Sequence, residues 1–115
     1  MSAKAKRNNC ELIPHFKTHQ SLGVGEWYRD YGVSKVTVSS VDMAEYFAGG
    51  GWKDIFIAFP VNTLEWDRIE ALNAQVNLTL LLSDEKSLDL VKKKLRSTTR
   101  FRIEINTGSN RTGLN

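Results

Sequence analysis

The sequence predicts an α/β fold built on a parallel sheet. Three observations carry this. Five extended segments, apolar or β-branched, recur along the 115 residues. A helix-like segment separates each from the next. Two of the extended segments, Ile55-Phe56-Ile57-Ala58-Phe59 and Leu78-Thr79-Leu80-Leu81-Leu82, are apolar almost throughout. Strands joined through single helices need right-handed crossovers, which make neighbours parallel. Such apolar strands suit a sheet covered on both faces. Periodicity alone leaves an open sheet and a closed barrel equally available.

In chain order, residues Ala3 to Asn9 read as the tail of a helix and Leu12 to Lys17 as a short first strand. Leu22 to Tyr31 reads as a helix ending at Gly32, with Gly23 costing about 1 kcal/mol relative to alanine in its interior. Lys35 to Ser39 is β-branched and extended. Asp42, with Glu45 three residues on, predicts a capped helix start, and that helix runs out at Gly49-Gly50-Gly51. Asp54 to Phe59 is the third strand, closed by Pro60. Asn62 and Glu65 repeat the capping pattern before a helix to about Asn73. Val76 to Leu82, Asp84 to Arg96 and Phe101 to Asn106 follow as strand, lysine-rich helix and fifth strand. No linker, low-complexity tract or second domain interrupts the pattern.

Composition is that of an ordinary globular chain, 41% hydrophobic and 25% charged with a net charge of +3. The basic residues fall in two short runs, Lys4-Ala5-Lys6-Arg7 and Lys92-Lys93-Lys94-Leu95-Arg96, which read as solvated helix faces. Nucleic acid binding wants a one-sided basic surface, with aromatics beside it for single strands; the sequence predicts none. Cys10 is the only cysteine, so no intrachain disulfide forms, in keeping with a reducing compartment. No apolar run reaches membrane-spanning length, and the first residues lack a signal-peptide core. A cytoplasmic protein without membrane contact is the expectation.

Two motifs bear on chemistry. Pro14-His15-Phe16-Lys17-Thr18-His19 places a lysine between two histidines at the end of the first strand. Ile103-Glu104-Ile105-Asn106-Thr107-Gly108-Ser109-Asn110-Arg111-Thr112-Gly113 places an arginine in a glycine-punctuated turn after the fifth. Side chains alternate along a strand, so His15 and Lys17 share one face while Phe16 takes the other. In this order, with βα units between them, the motifs resemble the N-terminal barrel of pyridoxal-phosphate (PLP) enzymes of the alanine racemase fold type. The branch containing D-threonine aldolase and D-serine dehydratase is the nearer likeness. The resemblance implies a partial (β/α) TIM-type barrel of about five parallel strands over residues 1–115. A complete eightfold barrel takes ~250 residues, so the chain is expected to be a piece of a longer protein, cut at both ends.

In that family the lysine of a Pro-His-x-Lys-Thr-His motif carries PLP as a Schiff base, which implies the same for Lys17. In a barrel the His15–Lys17 face looks inward, and Lys17 reaches the carboxyl-end mouth, where barrel active sites are built. A desolvated lysine gives up its proton more readily, and the neutral amine is what condenses with an aldehyde. The arginine of the family's Thr-Gly-x-x-Arg-x-Gly motif approaches the phenolic oxygen of PLP, which implies that role for Arg111. Gly108 and Gly113 let such a loop run close to a ligand, and an arginine stays charged at any working pH.

His15 and His19 lack the third converging ligand that a zinc site needs, and no metal site is predicted; family members that use a metal take its ligands from a C-terminal domain. His15 reads as a barrel-lining hydrogen-bonding residue and His19 as a supporting or substrate-side group. Thr37 with Ser39, and Thr79 with Leu81 and Ser83, alternate on single strand faces; they line the mouth or are plain strand and cap residues, the second being the simpler reading. Two departures from the family pattern stand out. Relatives usually have arginine where this chain has Ile13, and many have aspartate where Asn106 stands. Glu104 shares the facing of Asn106 and is expected to be a buried carboxylate without its arginine, a costly arrangement.

The resemblance implies a PLP-dependent lyase acting on D-amino acids, by dehydration of D-serine or D-threonine or by aldol cleavage, in a homo-oligomer. The competing expectations are a non-catalytic PLP-binding protein and a structural piece that binds nothing.

Overall fold

The computed structural model describes all residues from 1 to 115. Four parallel strands alternate with helices: α1 (Ser2–Arg7), α2 (Leu22–Asp30), β1 (Lys35–Val38), α3 (Val41–Gly49), β2 (Asp54–Pro60), α4 (Trp66–Asn73), β3 (Asn77–Leu82), α5 (Glu85–Lys94) and β4 (Arg100–Ile103). The sheet order is β1-β2-β3-β4, so each strand lies beside its successor. Right-handed crossovers repeated in one direction keep the intervening helices on one side of the sheet. That is the winding of a (β/α) barrel rather than of a doubly wound sheet, whose strand order reverses.

The helix-facing side of the sheet carries the core. Val36, Val38, Ile55, Ile57, Leu78 and Leu80 occupy alternate positions and join Val41, Ala44 and Phe47 of α3 and Ile69 and Leu72 of α4 in one buried cluster. Burying each such side chain contributes roughly 1.5–3 kcal/mol, far more than the propensity of these short helices could supply. The opposite side is not equally covered, contrary to what the apolar strands predict. Phe56 and Ala58 are half-buried there, with Arg102 laid across the Phe56 ring at 4.8 Å. Thr37 and Thr79 flank Phe56 in register on that face and are buried. This is the concave side of an open sheet, the face that looks inward in a barrel.

Two local expectations change. The first predicted strand shrinks to a single parallel bridge between His15 and Thr37, after which Phe16–Thr18 form a 3-10 turn. Pro14 has no N–H to give a ladder, and the His15 side chain accepts the Lys17 N–H, drawing the chain out of the extended form. The helix after β1 starts at Ser40, whose hydroxyl accepts the Met43 N–H, not at Asp42. Asp42 and Glu45 instead both grip Arg68 of α4, and the hydrogen bonds that Arg68 donates, to Glu45 first and Asp42 second, hold that guanidinium above its ordinary pKa. The second capping pair appears in modified form: Asn62 caps a 3-10 turn over Thr63–Glu65 and donates to Glu65 at 2.7 Å. Asp84 caps α5 through Ser87; chiefly the Ser87 N–H and hydroxyl hold its carboxyl below the ordinary range.

Candidate active site

The Lys17 turn is built around Phe16. Its neighbour His15 is extended (φ −95°, ψ 116°) and tied to β1 by the Thr37 bridge and by the Thr37 N–H, which donates to the Pro14 carbonyl at 2.8 Å. The Phe16 side chain is fully buried. It meets Tyr28 at 5.1 Å, Phe47 at 5.0 Å and Trp52 at 5.3 Å between ring centroids. Arg29 closes this aromatic nest from outside, stacking over Trp52 at 4.5 Å and donating to the Gly50 carbonyl at 2.9 Å. With Phe16 locked under the helices, Lys17 is exposed beside the carboxyl end of β1. The amine enters none of the chain's salt bridges. The desolvation expected around it is not supplied by this chain's own residues.

His15 and His19 part company. The His15 Nδ1 accepts the Lys17 N–H at 3.3 Å. Burial first, and the nearby Lys17 charge second, lower the His15 pKa below 6.5. His19 lies instead with the aromatics, edge-on to Phe16 at 4.4 Å and stacked on Tyr28 at 5.9 Å. Its Nε2 is buried without a hydrogen-bond partner. No cluster of three metal-ligating side chains forms anywhere in the chain.

At the other edge of the sheet, the segment after β4 folds back on itself. The Glu104 N–H donates to the Leu82 carbonyl at 2.8 Å, Leu114 N–H to Glu104 at 2.9 Å and Asn106 N–H to Leu114 at 2.7 Å. Asn106 organises the loop between them. Its Oδ1 accepts the N–H groups of Gly108 and Asn110, each at 3.1 Å, and its Nδ2 donates to Asn110 and Asn115 at 2.9 and 2.8 Å. An aspartate could make the first pair of bonds but not the second, so the amide at this position has a structural reason in this chain. Gly113 is required: at φ +107° an added Cβ would lie 2.9 Å from the Asn106 nitrogen. Arg111 is exposed at the loop's tip, also outside every salt bridge.

Glu104 is half-buried, and its Oε2 is buried with no hydrogen-bond partner, as expected of a carboxylate without an arginine beside it. Of the alternating polar residues, Ser83 donates to the capping residue Asp84 at 3.2 Å, while Thr37 and Thr79 are buried on the concave face. Arg102 on that face was not anticipated from sequence. The every-second-residue run Arg100, Arg102, Glu104 is the signal that marks it, since alternation puts all three on one side. Lys17 and Arg111 thus stand at opposite edges of the four-strand sheet, both beyond the carboxyl ends of strands.

Residues 1–115 match the family model for the alanine racemase N-terminal domain. Among solved structures, the chain is similar to D-threonine aldolase from Filomicrobium marinum, with a TM-score of 0.93 and 23% identity over 99% of this chain and 32% of that one. It is similar to D-threo-3-hydroxyaspartate dehydratase from Delftia sp. HT23, with a TM-score of 0.89 and 24% identity over 99% and 31%. An alanine racemase-like protein from Idiomarina loihiensis aligns with a TM-score of 0.80 and 27% identity over 90% and 29%. No curated protein matches significantly. The chain spans about a third of the length of the solved structures it resembles.

Proposed function

This chain belongs to the alanine racemase N-terminal domain family, and on that premise we propose that it forms the cofactor-lysine side of a PLP-dependent lyase acting on D-amino acids. The observation that carries the reading is the Lys17 turn. A free amine stands beyond the carboxyl end of a strand position, on a residue whose neighbour Phe16 is locked in the core.

The residues present fit the cofactor. PLP is an anionic aldehyde with a phenolic oxygen, and the two edges of the sheet offer a lysine and an arginine that have no carboxylate partner. Lys17 would hold the cofactor covalently and, once displaced by the substrate amine, carry a proton to or from the substrate Cα. Arg111 would donate hydrogen bonds to the phenolic oxygen, a contact its permanent charge suits. Asn106 would keep that guanidinium in place through the loop. When bound, PLP supplies the electron sink for the negative charge that develops at Cα.

The solved relatives include both an aldolase and a dehydratase, which supports a substrate class of β-hydroxy D-amino acids. A small-molecule substrate and a self-associating cytoplasmic protein complete the proposal; no helix is long and apolar enough to cross a membrane. The deciding experiment is borohydride reduction of a PLP-loaded sample followed by peptide mapping. The adduct is expected on Lys17. Reduction that labels another lysine, or none, overturns the assignment. Assays for glycine and for 2-oxoacids released from D-threonine and D-serine then separate aldol cleavage from dehydration.

A further inference from the structure

We infer that His15 is the positioning residue for Lys17, its uncharged ring acting as a cap that holds the lysine-bearing turn against the sheet. The inference rests on the reading of Lys17 given above, and its first test does not depend on it.

His15 is the residue at which the extended chain becomes a turn. Its backbone belongs to the sheet, through the bridge to Thr37. Its side chain belongs to the turn, through Nδ1, which accepts the Lys17 N–H at 3.3 Å. The Lys17 backbone is otherwise held by the burial of Phe16 and by the Gln20 side chain, which donates to the Lys17 carbonyl at 3.1 Å. Remove the cap and Phe16 still anchors the segment, but the peptide that aims the Lys17 side chain loses the fixed point on its N–H side. The effect is one of direction, not of folding.

The cap works in one protonation state. An acceptor Nδ1 requires the neutral imidazole with its proton on Nε2. A protonated ring carries donors at both nitrogens and would meet the Lys17 N–H donor to donor. The charged group that acts on the ring is Lys17 itself. On β1, Thr37 lies opposite, and Lys35 is occupied by Glu11 at 2.8 Å. From α2 the neighbour of this turn is Tyr28, which faces Phe16 and His19. No carboxylate pairs with His15 to favour its cationic form. Burial and the Lys17 charge both favour the neutral ring, so the cap is in place at neutral pH. It opens as pH falls through the lowered His15 value.

The test is nitrogen-15 NMR of the protein without cofactor, following the His15 ring nitrogens and the Lys17 amide from pH 8 to pH 4.5. We expect an unprotonated Nδ1 at high pH and a Lys17 amide shift that titrates together with the ring. In His15→Asn the Oδ1 can still accept, so the Lys17 amide should keep its high-pH position and lose its pH dependence. In His15→Ala the amide should move to an uncapped position at all pH values. Denaturant unfolding of both variants checks that the fold survives. A proton on Nδ1, a Lys17 amide that ignores the His15 titration, or Asn and Ala variants that behave alike would each overturn the inference. In a PLP-loaded sample, the fraction of Lys17 trapped by borohydride should fall about 5-fold in His15→Ala, the size of one capping hydrogen bond, and recover in His15→Asn. Labelling of a different lysine in the unsubstituted protein would count against the Lys17 reading, leaving the NMR result to judge the cap.

Discussion

The Lys17 turn and the Arg111 loop sit at opposite edges of the same sheet and are anchored by opposite means. The turn hangs from one fully buried aromatic, Phe16, packed against Tyr28, Phe47 and Trp52. The loop buries no side chain fully; it is held by backbone pairs to Glu104 and Leu114 and by the four hydrogen bonds of Asn106. The magnitudes differ accordingly. Burying a large aromatic is worth several hydrogen bonds, each of which nets only about 0.5–1.5 kcal/mol against water. Lys17 is thus fixed to the core through its neighbour, while Arg111 rides on a loop able to adjust, an arrangement that suits the roles proposed for them. Removing the Phe16 anchor should destabilise the whole domain, and disturbing the loop should loosen only the loop.

Four measurements test this contrast. Phe16→Ala should have the largest effect, roughly 3–5 kcal/mol of global stability, read as a lower denaturant midpoint with an unchanged slope. A loss under about 1 kcal/mol would mean that the nest relaxes around the gap and that the turn is not core-anchored. Gly113→Ala comes next. Strain at φ +107° and the 2.9 Å approach to the Asn106 nitrogen should cost about 1–3 kcal/mol, felt as faster amide exchange across residues 104–114. Amide exchange that instead quickens across β1 to β3 would show the loop and the core to be one cooperative unit.

Asn106 separates donor from acceptor roles. Asn106→Ala removes all four side-chain bonds, whereas Asn106→Asp keeps the two accepted from Gly108 and Asn110. We expect local destabilisation of about 1–2 kcal/mol for alanine and less for aspartate, measured by exchange at Asn110 and by the retention of PLP. Equal losses would mean that the amide's donations to Asn110 and Asn115 carry the loop. The smallest expected effect is that of pH. Because the folded state lowers the His15 pKa from 6.5, the unfolded chain takes up the proton first. Stability from this group is whole above pH 6.5, declines as pH falls below it and is exhausted beneath the lowered folded value. Between pH 7 and pH 5 the Lys17 turn should gain exchange while the Arg111 loop does not; parallel changes at both sites would point to a cause other than His15.

Much of this was legible in the residues. The alternation of apolar strands with single helices is a local pattern that calls for a parallel sheet, and helix α5 and strand β2 fall where the pattern puts them. Lys17 and Arg111 stand out through their motifs as expectations of the family resemblance, and the buried, unpartnered Glu104 Oε2 agrees with the carboxylate expected there. Less legible was the start of α3. Ser40 and Asp42 are both good capping residues, and the choice went to Ser40 because Arg68, twenty-six residues away, claims Asp42 and Glu45.

The class of fold and the order of strands and helices follow from the chain's residues alone, because both depend on periodicity and on neighbours a few positions away. Only the tertiary structure decided that the first strand is a single bridge followed by a turn, that His19 stacks with the aromatics while His15 caps Lys17, and that Asn106 knits the Arg111 loop. Those outcomes are competitions between a local hydrogen bond and a distant partner. The distant partner's position, whether Thr37, Tyr28 or Leu114, exists only once the sheet and its helices have closed on their core.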